Sequence, residues 1–365
     1  MAGDLVLITG VSSFVGFSVT LSALESGYRV RGVVRQEPQI EGLKQALPSQ
    51  FLAQVEFVVI PNLGTAGAFE DKLESVDYII HVASPTTNLQ VRRHNHTPPP
   101  TWADINITTL ADHHSLQTDN IKRDYLEPAR DITLVLLRTA AKCPNVKRVV
   151  ITSSLAVYVP MPELAVGKFS RDVFRSDDEI CHYSVDDEVQ FGMSAYAASK
   201  SISIDTAEEF LKSNSPSFET VFLFPSFIFG PNKLSKTVDD FNKGSNTILL
   251  NHILGKSKNP LLTVSVHIDD VAKAHVLALQ QSVQPGRYIL DSGGPTAVNW
   301  SDALPFVKKY YPEAIPSVFA EDAEPFSVKM VLDNAKAEKA LGIKFKSFEE
   351  QVKDTAGFYL SLVSK

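Results

Sequence analysis

Leu5-Val6-Leu7-Ile8-Thr9-Gly10-Val11-Ser12-Ser13-Phe14-Val15-Gly16 is the stretch from which the fold can be read. Its first five residues form a short apolar run of the kind buried on both faces of a parallel sheet. From Val15 to Ser26 the apolar positions Val15, Val19 and Leu24 recur at roughly helical spacing, and Gly27 stands where a helix would stop. A glycine turn therefore joins a strand to a helix. Gly10 permits the tight turn, Gly16 allows helix and strand to pack closely, and backbone amides at the helix start are placed to receive a pyrophosphate. Ser13 stands at the middle glycine of this fingerprint, so the spelling alone suits an ordinary turn equally well. Its place at the start of a strand-helix unit favours a dinucleotide site made by Thr9, Gly10, Ser12, Ser13, Phe14, Val15 and Gly16.

Outward from this turn the same alternation continues. Strand-like runs stand at Arg29 to Arg35, Val55 to Ile60, Tyr78 to Ala83, Arg148 to Ser153 and Glu219 to Phe224. Helical stretches separate them at Gln39 to Ala46, Ala66 to Glu74, Pro128 to Lys142 and Ala195 to Ser213. Strands alternating with helices of this length predict an α/β fold, a Rossmann-type doubly wound parallel sheet covered by helices. After Pro225 loops become more frequent, with a helix expected at Asp269 to Gln281, a strand at Arg287 to Ser292, and helices near Trp300 to Tyr311 and Asn334 to Leu341. The expected division is a dinucleotide-binding domain over 1–225 and a smaller C-terminal α/β substrate lobe over 226–365, sharing one core because no flexible linker parts them.

Composition narrows the function classes. The 365 residues are 44% hydrophobic and 21% charged, which allows a sizeable core and excludes a mainly disordered chain. Thirty-five Lys and Arg against 42 Asp and Glu give a formal charge of -7, no counter-charge for a phosphate backbone, so no nucleic-acid partner is expected. Two cysteines, Cys143 and Cys181, match a reducing compartment, and no apolar run of ~20 residues or leader-like N-terminus is seen, so the expectation is a cytoplasmic protein without a membrane partner.

Two further patterns carry chemistry. The second strand ends in Val33-Val34-Arg35, where an acidic side chain would favour NAD. A guanidinium there binds a 2'-phosphate in bidentate fashion, so NADP(H) is expected, with Lys44 as a candidate second cation; a solvated strand-end arginine is the bland alternative, and Arg31 is ambiguous between the two. Tyr196-Ala197-Ala198-Ser199-Lys200 sets a phenol and an ammonium one helical turn apart, and Val149-Val150-Ile151-Thr152-Ser153-Ser154 is an apolar strand ending in hydroxyls, where ligands sit in open α/β sheets. The Tyr-to-Lys spacing is common by chance. The order of glycine turn, strand-terminal serine and Tyr-x-x-x-Lys is far more specific.

That ordered set resembles the extended short-chain dehydrogenase/reductase superfamily, and within it the NADPH-dependent carbonyl reductase branch similar to dihydroflavonol reductases and fungal ketoreductases. The likeness spans nearly the whole chain, through His81-Val82-Ala83-Ser84-Pro85, Lys147 to Ser154, Phe229-Gly230-Pro231, Val266 to Ala272, and Asp333 to Gly342. It implies that Tyr196 donates a proton to the substrate carbonyl, that Lys200 lowers the phenol pKa and binds the nicotinamide ribose, and that Ser154, rather than Ser153, bonds the carbonyl oxygen. It further implies cofactor contacts from Asn62, Leu63, Ala83, Ser84, Pro225 and Ser226. Asn62 stands where many relatives place an aspartate near the adenine; its side-chain carbonyl still accepts from the adenine amine.

One segment departs from the family. Val91 to Gln117 holds His94, His96, His113 and His114, the run Pro98-Pro99-Pro100 and one of two tryptophans, where relatives run almost directly into Asp124-Tyr125-Leu126-Glu127-Pro128-Ala129. His94-x-His96 and His113-His114 are the right residue type for a metal, but no cysteine or ordered carboxylate accompanies them, so no metal is expected. A substrate lid and a translated intron compete for the rest. Valine codons begin GT, Gln117 can end AG, and excision would join Leu89-Gln90 to Thr118-Asp119 at the length typical of relatives.

The expected activity is NADPH-dependent reduction of an aldehyde or ketone, an oxidoreductase acting on small-molecule carbonyl substrates, as a tailoring step in fungal secondary metabolism. Open alternatives are an NAD(P)-dependent epimerase/dehydratase or 3-hydroxysteroid dehydrogenase on the same scaffold, and a non-catalytic NADP-binding redox sensor. Phe191, Phe227 and Tyr158 are candidates to line an apolar pocket, and each fits the core at least as well. A monomer and a homodimer are both compatible with the family.

Overall fold

The apolar runs pair in parallel. Leu5–Thr9 lies between Arg29–Val33 on one side and Tyr78–His81 on the other. In the computed structural model, which describes residues 3–85, 120–190, 192–256 and 260–364, the central sheet holds β1 (Leu5–Thr9), β2 (Arg29–Val34), β3 (Val55–Val59), β4 (Tyr78–His81), β5 (Arg148–Thr152), β6 (Glu219–Pro225) and β7 (Gly286–Leu290). Their order across the sheet is β7-β6-β5-β4-β1-β2-β3, all parallel. The chain winds outward one way from β1 to β3 and the other way from β4 to β7, so a crevice opens beyond the C-terminal ends of β1 and β4.

The central strands are buried on both faces, as β1 and β4 show throughout their lengths, whereas β3 at the edge alternates partial burial with exposure. Helices α1 (Phe14–Glu25), α2 (Pro38–Ala46), α3 (Glu127–Ala140), α4 (Met161–Val166) and α5 (Met193–Asn214) follow in chain order, then α6 (Val238–Phe241), α7 (Asn246–Ile253), α8 (Ile268–Leu277), α9 (Ala303–Tyr310), α10 (Ala335–Leu341) and α11 (Phe348–Val363). One face of the sheet is covered by α3 and α5, with Leu136, Leu137, Ile204 and Phe210 packed on Ile79 and Val149. The other is covered by α1 and α8, with Phe17, Leu24, Val271 and Ala274 packed on Val6 and Ile80.

Beyond β6 the chain leaves the sheet and returns. Strand β7 and helix α8 belong to the sheet layers, while α7, α9 and α11 gather around the fully buried Trp300 with Phe241, Phe348 and Tyr359. The Trp300 indole donates to the carbonyl of Leu262 at 2.9 Å. Two short parallel pairs, Ile228–Phe229 with Val266–His267 and Leu261–Leu262 with Ser327–Val328, link this cluster to the sheet. A buried arginine ties the two halves together. Arg148, at the start of β5, donates to the carbonyl of Ala278 at 3.1 Å and pairs with Glu219.

Two expectations are corrected. Ala66 to Glu74 is a succession of turns rather than a helix, because Gly67, Asp71 and Ser75 adopt φ of 81°, 62° and 60°, left-handed conformations that a right-handed helix cannot contain. Its apolar residues still reach the core through Phe69 and Leu73. The C-terminal α11, absent from the sequence reading, carries a legible signal in Ser347-Phe348-Glu349-Glu350. The Glu350 side chain accepts from the Ser347 amide at 2.8 Å while the Ser347 hydroxyl accepts from the Glu350 amide at 3.3 Å. The segment Val91 to Gln117, with its lid, metal and intron readings, lies outside the described residues, as does Phe191. No helix among the described residues is long and apolar enough to cross a membrane.

This capping box makes a quantitative expectation. Ser347→Ala removes one half of it and is expected to destabilise the protein by about 1 kcal/mol, seen as a lower urea midpoint. An unchanged midpoint would show that packing alone holds the start of α11.

Candidate active site

The glycine turn is built from contacts that exclude side chains. Gly10 takes φ +76°, and a Cβ there would lie 3.0 Å from the Ala83 nitrogen. A Cβ on Gly16 would stand 2.0 Å from the Gly10 carbonyl oxygen, so no other residue fits. Ser13, in place of glycine, sits at φ -96° and caps α1: its hydroxyl donates to the Gly10 carbonyl at 2.8 Å and accepts from the Gly16 amide at 3.0 Å. The amides of Phe14 and Val15, at the first positions of the helix, have no intrahelical acceptor by geometry. Thr9 closes the turn from below, accepting from the Ala83 amide at 3.1 Å and sharing a 2.8 Å hydrogen bond with His81 Nδ1. Burial, with the Lys200 charge adding to it, pushes the His81 imidazole down to about 3, so the ring is neutral.

At the end of β2 the arginines part ways. Arg31 is committed to Glu56 at 2.6 Å and to the carbonyls of Lys72 and Glu74 at 2.7 and 2.9 Å, a structural role. Arg35 is exposed, and Gln39 fixes its position: Oε1 accepts from the Arg35 and Gln36 amides at 3.0 and 3.1 Å, while Nε2 donates to the Ser12 hydroxyl at 3.1 Å. Arg35 and the phosphate turn are thereby one unit. Asn62 turns its side-chain carbonyl onto the Gly64 amide at 3.0 Å, leaving one lone pair for another donor. Leu63 packs against the core, and Lys44 is exposed on α2.

Tyr196 and Lys200 lie on α5 with their side chains inside the fold. Burial raises the Tyr196 phenol above its ordinary 10, and a hydrogen bond with Ser154 pulls against that rise. The opposing pull was expected from Lys200; its ammonium instead lies 6.0 Å from the ring centroid of Tyr196 and donates to the Thr152 carbonyl at 3.3 Å. Burial lowers the Lys200 pKa from its ordinary 10.5 to about 8. Ser154 begins a short helical turn, accepting from the Ala156 amide at 3.2 Å. Ser153 has a buried hydroxyl without a hydrogen-bond partner among the described residues.

Beneath Lys200 is a pair the sequence did not disclose. Thr152 Oγ1 lies 2.7 Å from His275 Nε2, and His275 Nδ1 lies 2.7 Å from the Val271 carbonyl. A carbonyl only accepts, so Nδ1 carries the proton and Nε2 receives the threonine hydroxyl. Burial lowers the His275 pKa to about 4, keeping it neutral. No spacing rule joins positions 123 residues apart, and only the packing of α8 beside β5 brings them together.

One cavity of about 360 Å³ runs from Ser13, Phe14 and Val15 past Ser84 to Ser154, Tyr196 and Lys200, with Pro225 and Ser226 along one wall; Arg35, Lys44, Asn62, Leu63 and Ala83 are not among its described lining residues. The glycine cradle, the free helix-start amides and the wall of backbone fit a dinucleotide along this path. Its far end is apolar, lined by Val159, Met161, Leu164, Met193, Phe227 and Ile248. Tyr158, by contrast, is core, its hydroxyl donating to the Ser176 carbonyl at 2.8 Å. Among the described lining residues Lys200 alone is charged. Tyr125, which lines the same cavity, was not singled out as a site residue from the sequence.

The profile of the NAD dependent epimerase/dehydratase family matches residues 103–290. The ketoreductase sphI of Aspergillus fumigatus is 31% identical over 366 residues, covering 97% of each chain. Ketoreductase CTB6 of Cercospora beticola is 31% identical over 377 residues, 100% of this chain and 97% of its own. Among solved structures, yeast methylglyoxal/isovaleraldehyde reductase Gre2 complexed with NADPH has a TM-score of 0.77 at 23% identity, covering 99% of both chains. Vestitone reductase from alfalfa has a TM-score of 0.69 at 23% identity, covering 98% of both. The structural likenesses carry the fold.

Lys200 gives this site a measurable cost. Its ammonium titrates at about 8 in the fold against 10.5 ordinarily. The burial penalty is therefore fully present below about pH 8, where both states are protonated, and is relieved as pH rises toward the unfolded value. That difference is on the order of 3 kcal/mol, less about 1 for the bond to Thr152, so Lys200→Met is expected to stabilise the protein by ~2 kcal/mol at pH 7. The gain should shrink above pH 8 in denaturant melts; a variant no more stable than wild type at pH 7 would contradict the assignment.

Proposed function

Because this chain belongs to the NAD dependent epimerase/dehydratase family, we propose that it is an NADPH-dependent reductase converting an aldehyde or ketone to an alcohol. The observation that carries this reading is the cavity itself, in which Ser154, Tyr196 and Lys200 meet an otherwise apolar space. A nucleotide sugar, as in the epimerase reading, brings a diphosphate that needs cations at the substrate end; Lys200 is the one charged group among the described lining residues. An apolar ketone or aldehyde needs only one polar anchor, at its carbonyl oxygen. The presence of both Tyr196 and Lys200 also favours turnover over a sensor.

When bound, the nicotinamide supplies a hydride to the carbonyl carbon. Tyr196 donates its phenolic proton to the carbonyl oxygen, and its raised pKa keeps that proton in place at neutral pH. Ser154, hydrogen-bonded to Tyr196, holds the carbonyl oxygen in line with the phenol. Lys200 orients the ribose hydroxyls, anchored behind by the Thr152 carbonyl. Ala83, Ser84, Pro225 and Ser226 would present backbone to the nicotinamide end, Asn62 and Leu63 would hold the adenine end, and Arg35 would receive the 2'-phosphate that distinguishes NADPH. The named ketoreductase relatives are fungal proteins, which supports a tailoring step on a secondary metabolite, carried out in the cytoplasm by an enzyme acting on CH-OH groups.

Oxidation of NADPH against a panel of carbonyl compounds tests this. Turnover is expected to favour bulky apolar ketones and aldehydes. Tyr196→Phe should lower kcat by ~10²- to 10⁴-fold while leaving NADPH affinity unchanged. Equal rates for the two proteins would overturn the proposed acid.

A further inference from the structure

A second cleft, of about 520 Å³, lies against the other side of the phosphate turn. One wall is Ser12 with the Gln39, Gly42 and Leu43 face of α2; the opposite wall is Lys233, Leu234 and Lys236. Ser12 and Gln39, which line this cleft, are the residues that couple the turn to the Arg35 backbone; the Arg35 side chain is not among the described lining residues. Lys44, the second cation expected from the sequence, is on the same helix but does not line it.

The loop bearing the two lysines is anchored for the purpose of presenting them. Gly230 takes φ +134° and exchanges two hydrogen bonds with the Asn246 side chain, at 3.1 and 2.8 Å. Asn232 then closes a turn, its side chain accepting from the Leu234 amide at 3.2 Å and its carbonyl from the Ser235 amide at 2.9 Å. Leu234 packs against the α1/α8 side of the core and Ser235 is buried beside it, while Lys233 and Lys236 stay at the surface. Lys233 and Lys236 are both exposed, and neither has a carboxylate within ion-pair distance among the described residues. The described cleft lining contains no carboxylate at all. Asp240 accepts from the Lys236 backbone amide and pairs with Lys243 at 3.0 Å, and Asp269, which feels the Lys233 charge, is paired with Lys346 at 2.7 Å. Two unneutralised ammonium groups facing a serine hydroxyl and a side-chain amide, on a chain of net charge -7, make a receptor for a compact dianion.

We infer that Lys233 and Lys236 complete the binding site for the 2'-phosphate of NADPH, closing on it from the C-terminal half of the chain opposite Arg35. The inference rests on the cofactor reading above and adds its missing partner. Cofactor selection is then shared between the end of β2 and a loop some two hundred residues later.

Binding separates the alternatives without turnover. The full chain, the double variant Lys233→Ala/Lys236→Ala and the charge-keeping Lys233→Arg/Lys236→Arg are titrated with NADPH and NADH, and melted with and without 2',5'-ADP or 5'-AMP. The alanine pair should weaken NADPH binding by about tenfold, most at low ionic strength, with NADH binding unchanged. It should lose the melting shift produced by 2',5'-ADP but keep that from 5'-AMP, and the arginine pair should behave as wild type. If the alanine pair leaves NADPH binding intact, or weakens NADPH and NADH alike, the inference fails. A wild-type protein that binds NADPH no more tightly than NADH would instead overturn the cofactor reading.

Discussion

The close approach of Gly16 to the Gly10 carbonyl, where a Cβ would stand only 2.0 Å away, is the constraint on which the rest of the site depends. It lets α1 begin directly at the C-terminal end of β1, with its first amides facing the crevice opened where the sheet order reverses between β1 and β4. Ser13 does not disturb this arrangement, because its φ is negative and its hydroxyl becomes the helix cap. A side chain at Gly16 would move α1, and with it Phe14 and Val15 and the face that packs on α8.

Polar groups are then carried into the interior, and those beside the cavity that the site uses are paired. Thr9 joins His81 to the Ala83 amide, and Thr152 joins His275 on one side to Lys200 on the other. Both histidines are held neutral by burial, so the lysine is the positive charge at this end of the cavity. Placing that charge in a dry pocket is unfavourable for stability and useful for chemistry, since a desolvated cation acts strongly on whatever oxygen is brought beside it. The apolar far wall serves the same end by excluding water from the carbonyl.

Much of this was legible beforehand. Strand β1 was bounded by its apolar run, and most other strands and helices were placed within a few residues, because each follows a simple period. The departures have separate causes. Ala66 to Glu74 has helical spacing of apolar residues, yet left-handed residues at 67, 71 and 75 satisfy the same burial through turns. The helix at Phe348–Val363 lies outside the sequence reading despite its capping box, since Ser347 stands five residues past Gly342, where the last family motif ends. Arg31 was ambiguous until its three acceptors were seen.

The sequence by itself determined the parallel sheet, the glycine turn and the identity of Ser154, Tyr196 and Lys200 as candidates, because periodicity and short motifs are local properties of the chain. Only the tertiary structure decided what surrounds them: which hydroxyl bonds the phenol, that His275 stands behind Thr152, that the substrate end is apolar, and that two lysines from a distant loop face Ser12. Those facts depend on burial and on contacts between residues far apart in sequence, and neither exists until the layers have packed.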